Sequence, residues 1–273
     1  MRRLINLRPG KGSALILGAL PFVALLLVYL VASDLRLSEN PSDKMLPAFS
    51  RFADAIQQYA TEPDQRSGQV LLWLDTQASL TRLGMSLLLG AALGLVFGVA
   101  TGALPLVRAG LSPFIATLSL IPPLSILPIL FIVFGMGEVS KVALILFGIA
   151  PFLMRDLAMR VAEIPSEQTI KAQTLGASSW TVIVRVILPQ LLPRLLDSLR
   201  LSLGAAWLFL IAAEAIAADE GLGYRIFLVR RYMAMDVILP YVAWITILAF
   251  LIDWSFRRAT QRLFPWYSGG KRT

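Results

Sequence analysis

The strongest constraint on this chain is a series of apolar stretches, each long enough to cross a lipid bilayer as a helix. A hydrocarbon core needs about 20 apolar residues in helical form. Such runs lie near 14–32, 80–103, 113–134, 139–158, 198–217 and 238–256. The expected fold is therefore all-α, a polytopic membrane protein with six transmembrane helices. Composition agrees, since only 15% of the residues are charged against roughly 25% in soluble domains. The chain has no cysteine and no histidine. That removes disulfides and thiolate metal sites, and also the usual general base, zinc ligand and partner of a nucleophilic serine. No cofactor or metal is expected. The formal charge of +8 fits arginines flanking the spans on the cytoplasmic side, and no nucleic-acid partner is expected.

The first run follows Arg2, Arg3, Arg8 and Lys11. A cleaved leader competes as a reading, because Val31-Ala32-Ser33 resembles a cleavage site. The run is longer than the about 7–15 apolar residues of a leader, so a retained span is expected, with a kink at Pro21. Residues 33–78 are polar. Within them Phe49, Phe52, Ala53, Ile56 and Tyr59 recur at helical spacing, which predicts an amphipathic helix on the membrane surface or on the other spans. In the second span Ser86, Gly90, Gly94, Gly98 and Gly102 recur every four residues. Such a smooth stripe lets another helix approach closely, and packing within one subunit is expected over a dimer seam. The third span contains Pro122, Pro123 and Pro128, each of which leaves a carbonyl without its helical donor. Such breaks are tolerated where backbone is buried in protein or lines a cavity.

Six spans put both chain ends on one face, together with the 104–112 and 155–200 loops. That face carries most of the 25 basic residues, Lys271 and Arg272 of the tail among them, so it is expected to be cytoplasmic. Trp266 and Tyr267 fit an interfacial belt there. The chain divides into an N-terminal span with an outer amphipathic segment (1–78), a core of five spans with a loop at 160–195 (79–265) and a tail (266–273).

The loop contains "IPSEQTIKAQTLGASSWTVIVRVILPQLLP". Ser166 fits an N-cap, with Glu167 in the first turn where the helix dipole favours a negative charge. Gly176 suits the left-handed position that ends a helix. Ser178 or Ser179 fits the cap of a second helix, which Pro189 stops or bends. Two short helices at an angle are expected to project from the bilayer. Lys171 and Arg185 alone supply positive charge between 166 and 193, too little for a DNA-binding unit. A docking site and a partnerless interfacial loop both fit this spacing.

The stretch "IKAQTLGASSWTVIVRVILP" resembles the EAA loop of binding-protein-dependent ABC importer permeases. Its usual form is E-A-A-x-x-x-G, nine residues, then I-x-L-P. Ala172, Gly176, Leu188 and Pro189 match, Val186 replaces isoleucine, and Ile170 and Lys171 depart from the pattern. The runs "IPPLSILPILFIVFGMGEVSK", "AAEAIAADEGLGYRI" and "LFPWY" are similar to the nitrate, sulfonate and taurine branch. The resemblance covers about 75–265. It implies the type I importer fold in the cell inner membrane and a permease subunit for a small solute. It also implies a second permease copy, a cytoplasmic ABC ATPase dimer and an extracytoplasmic substrate-binding protein. Lys171, Ala172, Gly176, Ala177, Leu188 and Pro189 would form the coupling helix region that seats in the ATPase. The chain has no G-x-x-x-x-G-K-[ST], since "PGKGSA" lacks the spacing, so it is not expected to hydrolyse ATP itself.

Candidate path residues are Ser119, Pro122, Pro123, Ser125, Pro128 and Glu214. The serines would either offer hydroxyls to a solute or bond back to their own helix. Glu214, an intramembrane acid near the outer end of its span, reads equally as functional or structural. The outer segment 218–236 holds Arg225, Arg230 and Arg231, which would pair with acids on the binding protein or be solvated. A lipid-modifying enzyme and a membrane scaffold are the competing classes. The lack of His, Cys and a clustered acid pair opposes the first, and the broken third span and loop frame oppose the second.

Overall fold

The computed structural model describes residues 9–40, 43–65 and 68–268. Arg2, Arg3, Arg8, Lys271 and Arg272 lie outside the described residues. The described elements are helical: α1 (Lys11–Glu39), α2 (Phe49–Thr61), α3 (Leu71–Ala103), α4 (Pro105–Leu118), α5 (Leu127–Phe134), α6 (Glu138–Ala162), α7 (Ser166–Thr174), α8 (Ser179–Val182), α9 (Leu188–Ala217), α10 (Leu222–Arg230), α11 (Met235–Leu263) and α12 (Pro265–Ser268). The division expected at 78/79 falls within α3.

The glycine stripe of α3 seats α6. Gly90 faces Ile149 and Leu153, Gly94 faces Leu153 and Leu157, Gly98 faces Leu157, and Gly102 faces Val161. A methyl added at Gly98 or Gly102 would meet a β-carbon at 2.7 or 2.6 Å. The stripe is thus a seam within the subunit. Residue numbers rise together along both helices, so α3 and α6 run parallel. The chain must return across the whole bundle between them, and the segment that does so is the broken third span. It is not one helix over 113–134. The stretch Pro105–Leu118 and the stretch Pro123–Phe134 meet at 83°, with the break at Pro122-Pro123. Pro128 makes no further break, because it sits in the first turn of α5, where a missing N–H costs nothing.

α9 runs antiparallel to α6: Phe209 covers Gly148, Ser198 bonds Asp156 and Arg194 pairs with Glu163. Leu144, Ile145, Ile149, Leu153, Leu157, Leu191 and Leu210 are fully buried between these helices, and α11 joins α9 through Arg200–Asp253 at 2.8 Å. The face bearing α7 and α8 is called the loop face, and its opposite the far face.

The fifth span differs most from expectation. Pro189 does not end a short helix. From Ser179 to Ala217 the chain forms one apolar helical run, carried past the proline by a π-helical turn at Ile183–Ile187. The proline ring crowds the carbonyl four residues back. The wider turn relieves this, and the Leu188 N–H donates to Ile183 O.

α1 lies outside the bundle, with none of its most apolar window buried. Its far-face end is pinned where Tyr29 Oη donates to Pro47 O at 2.7 Å and Ser33 Oγ to Leu46 O at 2.9 Å. Asp43 closes this turn. Its carboxylate is held below the usual range by the Met45 N–H and by Arg36. In α2 the buried position is Ala55, between Phe52 and Tyr59, and the expected Ala53 is exposed.

Candidate functional site

The loop-face segment is built by backbone geometry. α7 begins at Ser166, whose side chain makes no cap, since Pro165 occupies that position. It ends in a complete Schellman corner. Gly176 takes φ +83°, its N–H donates to Gln173 O at 2.9 Å, and Ala177 N–H donates to Ala172 O at 3.0 Å. Glycine carries no Cβ penalty in that left-handed conformation. Ser178, not Ser179, then caps α8 by accepting from Thr181 N–H. Gln190 Nε2 donates to Gln168 Oε1 at 2.9 Å and ties α7 to α9. The corner projects its apolar side chains: Leu175 is 88%, Trp180 72% and Ile170 55% exposed. Lys171, Gly176 and Pro189 are also exposed, whereas Ala172, Ala177 and Leu188 are half-buried and pack on the core. Sequence reasoning missed Leu175 and Trp180. Their signal was a bulky apolar residue on either side of a turn glycine.

The far face is built by charge. Glu214 and Asp75 are fully buried and Arg82 is 2% exposed. Arg82 Nη1 donates to Glu214 Oε1 at 2.8 Å and to Glu220 O at 2.8 Å, and its Nη2 donates to Glu138 Oε1 at 2.8 Å. Lys141 Nζ donates to the same Glu138 oxygen at 2.8 Å. Glu214 also accepts from Ser79 Oγ at 2.7 Å and Gly223 N–H at 2.8 Å. Beside it Asp75 accepts from Gly221 N–H at 2.9 Å, Arg225 Nε at 2.8 Å and Tyr241 Oη at 3.2 Å. Buried charge is tolerated when paired and hydrogen-bonded in this way. The network fastens residues 220–225 to α3. Arg225 is spent in it and does not share the surface of Arg230 and Arg231, which are exposed.

Residues 90–266 match the family described as "Binding-protein-dependent transport system inner membrane component". The chain belongs to that family. The permease is 42% identical over 197 residues to the taurine transport system permease protein TauC of Escherichia coli (strain K12), covering 72% of this chain and 71% of that one. It is 30% identical over 190 residues to the putative aliphatic sulfonates transport permease protein SsuC of Bacillus subtilis (strain 168), covering 70% and 69%. Its fold is shared with a bacterial ABC transporter involved in the import of the acidic polysaccharide alginate, with a TM-score of 0.63 at 14% identity over 92% of this chain and 96% of that one. It is a multi-pass ABC importer permease of the nitrate, sulfonate and taurine branch.

The candidate path residues of this permease are not gathered in one place. Ser119 and Pro123 line a cavity of 360 Å³ between the bent span and α6. Ser119 Oγ donates to Ala116 O at 2.7 Å and Ser125 Oγ to Pro122 O at 2.7 Å, so both serines bond back to their own turn. Pro122 and Ser125 stand at the exposed break and Pro128 at the start of α5. Glu214 lies apart from them, in the far-face network.

Proposed function

We propose that this permease works as a homodimer with its loop face in the cytoplasm, where α7, Gly176 and α8 seat in an ABC ATPase that performs the hydrolysis. The observation that carries this reading is the loop-face corner itself. A backbone-fixed helix pair presents Leu175 and Trp180 to solvent, with no cover among the described residues. Large exposed apolar side chains at a fixed site are what an interface needs. Lys171, Ala172, Gly176, Ala177, Leu188 and Pro189 frame that surface. Leu188 and Pro189 are continuous with α9, so motion of the corner is transmitted along a single helix into the bundle.

The sidedness is supported by basic residues. Arg160, Lys171, Arg185, Arg194, Arg258 and Arg262 all stand toward the loop face, as cytoplasmic loops require. Six passes then return both termini to that side. At the far face the exposed Arg230 and Arg231 are offered to acids of a substrate-binding protein, while Arg225 positions their helix. The named cargo of the relatives, taurine and aliphatic sulfonates, supports a small sulfonate or related organic anion as the solute. Pro122, Pro123 and Ser125 then belong to the break that borders the path, and Pro128 opens α5 beside it.

The test is the double substitution Leu175→Ala with Trp180→Ala. Both side chains are exposed, so stability should change by under about 0.5 kcal/mol. ATPase retention on the purified permease should fall by roughly 30-fold or more, the scale of a hot-spot pair, and ATP-driven uptake should fall with it. Full ATPase retention with normal uptake would remove the loop from this role.

A further inference from the structure

We propose that Arg155 is an anion contact on the translocation path, facing the 360 Å³ cavity beside the broken third span. This deepens the transport reading above and rests on it. Arg155 stands seven residues before the loop-face end of α6, about 10 Å along the helix. Its neighbours on the cavity wall include Ser119, Ile121, Pro123, Phe152 and Met159. Among the described residues it forms no ion pair. Its one hydrogen bond is from Nη1 to Ser119 Oγ at 2.8 Å. A guanidinium has five N–H donors in a planar fork that matches an oxyanion, so most of its capacity is unspent.

The other charges near it are already committed. Asp156 lines the same cavity, but its carboxylate is buried against Ser198 and pairs with Arg160 at 3.5 Å. Glu163 is held by Arg194 and Arg160. The site therefore presents net positive charge. Phe152, Arg155 and Met159 form one exposed stripe of α6. An unpaired arginine on such a stripe cannot rest against lipid tails without large cost, and intramembrane cations of this kind face water-filled pathways. The solute recognised is a small organic anion, sulfonate or carboxylate. Its oxygens would take the guanidinium fork while Ser119 holds the side chain in place.

The chain has no cysteine, so single cysteines can probe the stripe in the full-length protein in membrane vesicles. Met159→Cys and Phe152→Cys would be reacted with anionic 2-sulfonatoethyl methanethiosulfonate and with its cationic trimethylammonium analogue. Each rate is normalised to that with a small free thiol. The anionic reagent should be favoured by about tenfold at one or both positions, the scale of electrostatic focusing in a charged cleft. Arg155→Gln should bring the ratio close to one, and Arg155→Lys should keep part of it. Equal rates with Arg155 present, a preference that survives Arg155→Gln, or no labelling at either position would each overturn the proposal. Labelling requires neither ATP nor partner subunits. Unselective labelling with intact uptake thus counts against Arg155 alone, and selective labelling with no ATP-driven uptake counts against the transport reading.

Discussion

At the far face, the buried Arg82, Glu214 and Asp75 lock helices together by charge, with the exposed Glu138 capping Arg82, whereas at the loop face the corner around Gly176 is set by two backbone hydrogen bonds and shows its apolar side chains to solvent. Each region turns on one glycine with positive φ. Gly221 (φ +130°) is hemmed in by the Glu214 carboxyl group, 2.5 Å from where a β-carbon would lie, and Gly176 (φ +83°) has nothing within 4 Å of that point. The contrast separates two uses of a rigid turn. The far-face turn is part of the packed interior and fastens α3, α6, α9 and α10 together. The loop-face turn shapes a surface and leaves it exposed, as the proposed ATPase contact requires.

The sharpest way to break this comparison is Glu214→Ala. It removes the acid from a buried pair and leaves Arg82 undercompensated, which costs about 3–5 kcal/mol. Thermal unfolding of the purified permease should show a large fall in midpoint, with Glu214→Gln falling less because it keeps hydrogen-bonding capacity. An Ala variant as stable as the parent would show that the network is not what holds the far face. Next in size is Gly221→Ala. Its backbone conformation is essentially restricted to glycine, a strain of about 1–3 kcal/mol, and the added methyl must also displace the Glu214 carboxylate. The same melting experiment should rank it below Glu214→Ala and above Gly176→Ala. The smallest stability effect is expected at Gly176→Ala, where only the left-handed penalty of about 1–2 kcal/mol applies and the space is open. Its signature should lie elsewhere, in a weakened coupling of ATP hydrolysis to uptake. If Gly176→Ala melts lower than Gly221→Ala, the assignment of packed and free turns is reversed.

Much of the loop corner was legible because its cause is local. The left-handed glycine after α7 and the serine cap of α8 depend on residues within one or two turns. The seam of Gly90, Gly94, Gly98 and Gly102 was legible for a similar reason, since a smooth stripe at helical spacing predicts close approach whatever the partner. The π turn before Pro189 was not. A proline predicts a stop or bend, and only the packing of α9 on α6 and α3 makes it worthwhile to continue the helix past it. Ser166 was misplaced as a cap because Ser and Pro are both acceptable at the start of a helix, and the turn from α6 chose between them.

The sequence by itself determined the apolar runs, a third span broken by proline, the glycine seam and the left-handed corner at Gly176, because each follows from chain length, side-chain size or backbone stereochemistry within a few residues. The tertiary structure alone decided that the third span bends by 83° on its way across and that the fifth runs on past Pro189. It also decided that Arg82 meets Glu214 and Asp75 meets Arg225. Those partners lie 132 and 150 residues apart. The pairing of charges across such separations is dictated by which helices pack together, and a charged residue carries no mark of its partner in the sequence around it.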